Sequence, residues 1–316
     1  MSKRASVVGK DEKSVTGDLS VIVPAYNEVD NIRPLCERLF KSLKAEGIRG
    51  ELLVMDDESA GTEATKKIVA ELATEGYEVR IHARTKAEGR GLSSAVLLGF
   101  DLAKYEVMVC MDADLQHEPE SVPAVASPVM RGKADFSVGS RNVSGGGLGF
   151  EWNIVRRLIS FVATMLCMPL TSSTDPMSGF FCVRKKTLAI GRANCNPIGF
   201  KIGLEVMARC RCKKVKDVPI TFQERVAGES KLTMTQNVEY IKQLIALYLD
   251  QWVKMLWIIF GGAFMIGFIV ISLMFIWKVT SLLRCVCASC RSCTHLPVCS
   301  ARGVRLSRRV PYYVGP

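Results

Sequence analysis

Five short apolar runs, at residues 19–23, 52–55, 79–82, 107–111 and 136–139, alternate with helix-like stretches near 31–45, 63–75, 92–104 and 120–131. No other feature of the chain limits its fold as much. Such alternation is the pattern of a mainly parallel sheet with helices on both faces. The runs are continuous rather than alternating in polarity, as strands buried on both faces require. The expected class is therefore α/β, with a Rossmann-like, mainly parallel sheet.

The residues just after each run point to a site. Pro24-Ala25-Tyr26-Asn27-Glu28 comes after the first and Asp56-Asp57-Glu58-Ser59 after the second. Arg84-Thr85-Lys86 comes after the third, Asp112-Ala113-Asp114 after the fourth and Ser140-Arg141 after the fifth. Open α/β sheets bind ligands outside the carboxyl ends of their strands. Turns are polar in any protein, but through Gly, Asn and Ser rather than repeated paired acids. Asp112 and Asp114 present hard oxygen ligands. Such ligands suit Mg²⁺ or Mn²⁺ carrying a diphosphate. A nicotinamide enzyme of similar sheet type would want G-x-G-x-x-G after the first strand, and residues 24–28 supply none.

The chain has 316 residues and a net charge of +11. Residues 278–316 carry +7 of this with no acid, so the remaining body is only mildly basic at +4. No basic stripe with interleaved aromatics marks a nucleic-acid partner. Residues 255–277 form 23 consecutive positions without a charge, with Trp257 and Trp277 near the two ends. A helix of that length spans roughly 34 Å, enough to cross a bilayer. Residues 1–18 are polar, lack a signal-peptide core and are expected to be a disordered leader. The expected organisation is a catalytic domain over 19–232 and an amphipathic, interfacial helical segment over 233–254. A transmembrane helix at 255–277 and a basic, Cys-rich tail at 278–316 complete it. Seven of the 12 cysteines are scattered through the body, which fits a reducing compartment. The other five, from Cys285 to Cys299, surround His295. Palmitoylation, zinc binding and an inert tail all remain open for them.

Residues 142–230 are less regular. A helix bearing Arg156 and Arg157 is expected over 152–167, and a turn feeding a short strand over 174–181. Further expectations are a helix over 200–210 and a strand over 215–222. Asp175, just before Pro176, is expected to order its turn rather than do chemistry.

Together the blocks PAYNE (24–28), DDES (56–59), GLSSAVLLGF (91–100), MDADLQH (111–117), GSR (139–141), RRLIS (156–160), DPMSGFF (175–181), NPIGFK (196–201) and GESKL (228–232) carry a resemblance. In this collinear order they resemble the dolichol-phosphate mannose synthase family, family 2 glycosyltransferases of the GT-A fold. The resemblance covers about residues 19–235. It implies transfer of mannose from GDP-mannose to dolichyl phosphate, releasing GDP. It implies donor binding by Pro24, Tyr26, Glu28, Asp57, Asp112, Ala113, Asp114, Gln116, Lys201, Arg225 and Lys231. The metal and diphosphate would sit at Asp112, Asp114 and Gln116, and the acceptor phosphate near Arg141, Arg156 and Ser160. Catalysis would rest on Asp114, Arg141, Arg225 and Lys231, the last two on a loop that closes over the donor. Glu58 departs from the more usual Asp, and the tail after Leu283 has no counterpart in the family. A chain with its own membrane helix is similar to the branch that needs no accessory subunits.

The chemistry of the residues agrees with this. Charge builds on the departing diphosphate, which a divalent ion and nearby bases neutralise. A phosphate monoester, with a second pKa of about 6, is already anionic at neutral pH and needs no general base. Direct attack inverts the anomeric centre. The expected location is the endoplasmic reticulum membrane, single-pass, with the catalytic domain facing the cytosol. The basic tail argues the opposite orientation by the positive-inside rule. Cytosolic GDP-mannose and the lack of a signal peptide outweigh it. The alternatives are another polyprenyl-phosphate glycosyltransferase, for example one using UDP-glucose, and an inactive membrane scaffold subunit.

Overall fold

The computed structural model describes residues 17–149, 154–223 and 234–289. The first half is built as the apolar rhythm requires. It runs β1 (Asp18–Ala25), α1 (Val29–Ala45), β2 (Arg49–Asp56), α2 (Thr62–Thr74), β3 (Val79–Ala83), α3 (Leu92–Leu102), β4 (Val107–Cys110), α4 (Val122–Met130) and β5 (Phe136–Ser140). Then come β6 (Gly147–Leu148), α5 (Ile154–Cys167), β7 (Phe181–Arg184), α6 (Lys185–Ala189), α7 (Ile202–Arg209), β8 (Val215–Pro219), β9 (Thr221–Phe222) and α8 (Met234–Ser289).

Seven strands form one sheet in the order β3-β2-β1-β4-β7-β5-β8. All neighbours are parallel except β7, which runs antiparallel between β4 and β5. The sheet is thus mixed and mostly parallel. A second, two-stranded sheet pairs β6 with β9. The strand expected over 215–222 is two strands split at Ile220, which serve different sheets.

Two apolar layers sandwich the sheet. One joins Val21, Val23, Leu52 and Val54 to Ile32, Leu35 and Leu39 of α1 and Val125 and Val129 of α4. The other joins Ile22, Leu53, Met55 and Met108 to Val96 and Phe100 of α3 and Val206 of α7. Successive strand residues therefore face opposite layers, and both faces are apolar. Each fully buried Val, Leu or Ile contributes roughly 1.5–3 kcal/mol. Gly99 sets how closely α3 approaches. A Cβ there would lie 2.5 Å from Ile22 Cγ2 and 3.1 Å from Met55 Cγ. A larger residue must push α3 off the sheet, and α3 starts from the loop that lines the crevice.

The amino-terminal end of the sheet is held by a buried carboxylate. Glu51 accepts hydrogen bonds from the Ser20 hydroxyl (2.6 Å), the Lys104 N–H (2.6 Å) and Arg80 Nε (2.9 Å). Burial pushes its carboxyl up, but the bonds from Arg80, Ser20 and Lys104 outweigh burial and hold it below the usual range. A carboxylate depressed in the fold stabilises above its unfolded pKa, and that stability is lost as pH falls. Glu51→Ala strands these donors and should cost about 1–3 kcal/mol. Thermal unfolding of the solubilised chain should show a lower midpoint, with a smaller difference from wild type at low pH. An unchanged midpoint at neutral pH would remove Glu51 from this role.

Two compact units divide the chain, residues 1–251 and 252–316. Within the first, Tyr240, Leu244 and Leu247 of α8 pack with Cys167, Leu170 and Leu204. Tyr240 donates to the Ala163 carbonyl at 2.7 Å and Tyr248 to the Leu166 carbonyl at 2.8 Å. The first part of α8 thus packs one side against α5 and α7. Its outer stripe, Val238, Ile241, Ile245 and Leu249, is exposed, as are Phe161, Val162, Met165 and Leu166 on α5. In the second unit the helix exposes apolar side chains from Phe264 to Ile271 and from Leu273 to Trp277. Among the described residues no helix is long and apolar enough to cross a membrane. The side chains of residues 252–263 lie outside the described set, as do most of the leader and the tail beyond residue 289.

Candidate active site

The carboxyl ends of β1 and β2 lie side by side, with Ala25 opposite Asp56, and β3 adjoins them with Ala83 opposite Asp56. β4 flanks β1 on the other side, with Cys110 opposite Ile22. At three of these ends the chain leaves the sheet through a left-handed residue: Asn27 (φ 57°), Glu58 (φ 52°) and Leu115 (φ 60°). Asn adopts this region readily, whereas Leu and Glu do so at a cost. Strained backbone gathered at adjacent strand ends is a mark of a functional site.

The two aspartates after β2 have different tasks. Asp56 is buried and accepts from the Ser59 N–H (3.1 Å), the Ser59 hydroxyl (3.0 Å) and the Thr62 hydroxyl. It shapes the turn into α2. Asp57 turns toward β3. Its Oδ1 accepts from Arg84 Nη1 at 2.9 Å and its Oδ2 from the Gly91 N–H at 2.8 Å. Next to it, Glu58 pairs with Arg90. After β1, Pro24 is half-buried, Tyr26 is 47% exposed, and Glu28 Oε2 accepts from Asn31 Nδ2 at 2.8 Å.

After β4, Asp114 and Ala113 are buried and Asp112 is partly so. Asp114 Oδ1 accepts the Gln116 N–H at 3.1 Å, which closes a tight turn. Gln116 Nε2 donates to the Gln223 carbonyl at 3.1 Å, and the Gln223 N–H returns to the Gln116 carbonyl at 2.9 Å. The end of β9 therefore braces the acidic turn. His117 is buried between the rings of Phe180 and Phe222, each 5.2 Å away. Its Nδ1 accepts the Asp112 N–H at 3.3 Å. Burial pushes its pKa down to about 4, against the pull of Asp114. It is a neutral strut at pH 7 and holds the loop in place. A Cβ on Gly179 would stand 3.2 Å from Asp112 Oδ2 and 3.3 Å from Oδ1. Glycine keeps space open beside that carboxylate. Two carboxylates and an amide are oxygen donors of the kind a hard divalent cation takes.

Arg141 lies just beyond β5. Its Nε donates to Asp175 Oδ2 and its Nη2 to Asp175 Oδ1, both at 2.7 Å, and its own N–H adds a third bond at 3.1 Å. The guanidinium lies over the Phe222 ring at 5.2 Å. Asp175 therefore does more than order its turn: its side chain is fully buried on the fork. The turn itself is tied down by Asp217 of β8, which accepts from the Ser173 hydroxyl (2.7 Å), the Thr174 N–H (2.7 Å) and the Thr174 hydroxyl (2.7 Å). Lys201 caps the start of α7 and donates from Nζ to the Met177 carbonyl at 2.9 Å, over the Phe200 ring. Burial pushes its ammonium down to about 8; Arg141 adds to this, and Asp112 and Asp175 oppose it. Those four charges are thus electrostatic neighbours.

The structure brings Asp112, Asp114, Gln116, Arg141 and Lys201 to one end of the sheet, with Asp57 at the β1–β2 side. Ser160 is half-buried on α5, and nothing described links it to this cluster. Arg156 is on the helical backbone of α5, but its side chain lies outside the described residues, as do Arg225 and Lys231. Sequence reasoning missed Asp175 and Gly179 as parts of the site, and put Arg84 at the crevice without a partner or a role. For Arg84 the signal was present, a base just after the third strand. Asp175 and Gly179 stood in the block 175–181.

The glycosyl transferase family 2 model matches residues 20–189. The chain is similar to the dolichol-phosphate mannosyltransferase of Saccharomyces cerevisiae, 44% identical over 242 residues, covering 73% of this chain and 87% of the relative. It is 40% identical to the Mycosarcoma maydis protein of the same name, covering 74% of this chain and 80% of that one. A third such protein, from Pyrococcus furiosus, is 40% identical, over 72% of this chain and 63% of the relative. Among solved structures, mannosyl-3-phosphoglycerate synthase from Rubrobacter xylanophilus is similar with a TM-score of 0.51 at 14% identity, covering 72% of each chain. Glucosyl-3-phosphoglycerate synthase from M. tuberculosis gives 0.50 at 20% identity, over 74% of this chain and 80% of that one. At such identities the two structures speak for the fold alone.

Proposed function

The chain belongs to glycosyl transferase family 2 and, within it, to the dolichol-phosphate mannosyltransferases, and from that premise we propose that it transfers mannose from GDP-mannose to dolichyl phosphate with inversion, giving β-mannosyl phosphodolichol and GDP. The observation that carries the reading is the acid pair Asp112–Asp114 beside the Arg141–Asp175 fork, at the sheet end of a chain 44% identical to such an enzyme.

Pro24, Tyr26, Glu28 and Asp57 hold the nucleoside, and Asp112, Ala113, Asp114 and Gln116 the diphosphate with Mg²⁺ or Mn²⁺. When bound, that ion supplies Lewis-acid stabilisation of the leaving diphosphate. Lys201, Arg225 and Lys231 add positive charge on the donor side. Arg141, Arg156 and Ser160 receive the acceptor phosphate. The Asp175 fork changes the part Arg141 plays. Pairing offsets its charge, so it offers oriented donors more than net attraction. Net charge then falls to Lys201 and the 225–231 loop. No base is required of the protein, because the acceptor phosphate is already ionised. The site accords with that: His117 is neutral and turned to backbone, and Asp175 is occupied by Arg141.

The stretch 255–277 is read as the membrane anchor, placing the enzyme on the endoplasmic reticulum with its catalytic domain in the cytosol. The apolar faces of α5 and the first part of α8 would lie against the lipid surface, where the dolichyl chain resides. A protease-protection assay on sealed microsomes should digest the catalytic domain; full protection would reverse the orientation.

The lowered Lys201 gives a pH signature. Its charge is present below pH about 8 and lost above it. With kcat/KM reporting the free enzyme, activity should fall above pH 8. Lys201→Arg should move that limb upward, since a guanidinium stays charged. An unmoved limb would assign it to another group.

The functional test is a panel of labelled donors with membranes and dolichyl phosphate. GDP-mannose should give a lipid-linked product that a chelator abolishes. Product from UDP-glucose with none from GDP-mannose would move the chain to another polyprenyl-phosphate transferase. No turnover with any donor would favour a scaffold role.

A further inference from the structure

Arg84 is among the largest fully buried side chains of the protein, with its side chain 0% exposed. A buried guanidinium needs many partners to be tolerated. Nη1 donates to Asp57 Oδ1 (2.9 Å) and the Gly91 carbonyl (3.2 Å), and Nη2 to Ser94 Oγ (2.6 Å) and the Glu88 carbonyl (3.2 Å). Nε is buried without a partner. One planar group therefore joins the end of β2, the 86–88 turn, the Gly89–Gly91 bend and the first turn of α3. The bend runs through left-handed Gly89 (φ 87°) and Gly91 (φ 95°), and Gly91 returns its N–H to Asp57 Oδ2 at 2.8 Å. Both oxygens of Asp57 are thus fixed from behind, while its side chain stays 17% exposed at the crevice.

We infer that Arg84 is a positioning residue for donor selection. It holds the Asp57 carboxylate at a set angle so that its remaining lone pairs meet ring N–H donors of the nucleobase. An orphaned Nε in the core shows a group placed for its fork rather than for its own full satisfaction. Lysine offers a point charge without a fork and cannot span the same elements. A carboxylate aimed at a base edge accepts from N–H groups and repels ring acceptors, so its angle sets base preference. The inference rests on the reading of Asp57 as a nucleotide ligand.

The test uses the full chain in membranes, with wild type and Arg84→Lys. Misplacing a positioned group by about 1 Å can cost roughly 10²-fold. For Arg84→Lys the KM for GDP-mannose and the Ki for GDP should therefore rise together by about 10–100-fold. Both kcat and the KM for dolichyl phosphate should stay within about threefold. The ratio of GDP to UDP inhibition should narrow. Ser94→Ala removes one of the four bonds that Arg84 makes, together with the Ser94 hydroxyl's own bonds to the Arg90 and Gly91 carbonyls, and should give the same pattern in smaller measure. It decides the matter if Arg84→Lys does not accumulate folded. A merely structural Arg84 would lower folded yield and kcat while leaving donor KM and base preference unchanged, and that result overturns the inference. Failure of wild type to bind GDP would instead defeat the reading of function.

Discussion

Asp114→Asn should lower mannosyl transfer by about 10²–10³-fold, the order lost when one charge-stabilising group is removed from a transfer site. Asn keeps the shape of Asp and still presents an oxygen to the Gln116 N–H, which Asp114 Oδ1 accepts at 3.1 Å. The turn therefore survives, and the thermal midpoint should barely move. The loss is the charge of a buried carboxylate beside Asp112. The variant should need a higher divalent-ion concentration for half-maximal rate, with little change in the KM for dolichyl phosphate. Activity within threefold of wild type would take Asp114 out of the diphosphate site.

The second large effect is expected at Asp175, whose carboxylate is engaged by Arg141. Asp175→Ala removes three bonds from Arg141 and leaves a guanidinium only 15% exposed. Breaking one side of a buried pair costs about 3–5 kcal/mol, which should appear as a clear fall in the unfolding midpoint. Transfer should fall by at least about 10²-fold, since a misplaced positioning group alone can cost that much. Arg141→Lys separates the two effects. It keeps a cation beside Asp175 but no bidentate fork, so stability should drop less than activity. Equal losses in both variants would mean that the pair is only structural.

The first half of the fold was legible because strands buried on both faces are written as unbroken apolar runs. β1 to β5 fall on the five runs, and their ends carry the crevice. The antiparallel β7 was not legible as a central strand. Its four residues, Phe181–Arg184, have no period of their own, and their place is fixed by pairing with β4 and β5. The helical segments expected over 233–254 and 255–277 form one helix, Met234–Ser289. The packing of its first part reaches Asp250, which pairs with Arg209 at 3.1 Å, shortly before the uncharged run begins. In the site, the acids were legible because paired carboxylates at a strand end are chemically unusual. Their supports were not. Arg84 and Asp57 are 27 residues apart, and Arg141 and Asp175 are 34 apart. Neither pairing has a local signature, and only the closed fold brings the partners together. His117 illustrates the opposite hazard. It stands just after the acid pair in sequence yet turns to the core between Phe180 and Phe222.

The central claim is direct attack by the acceptor phosphate without a protein base or a covalent intermediate. The anomeric configuration of the lipid-linked product, read by NMR after transfer from α-linked GDP-mannose, tests it most directly. The account predicts a β-mannosyl phosphodiester. An α-linked product would mean retention, and would contradict single-step transfer at this site.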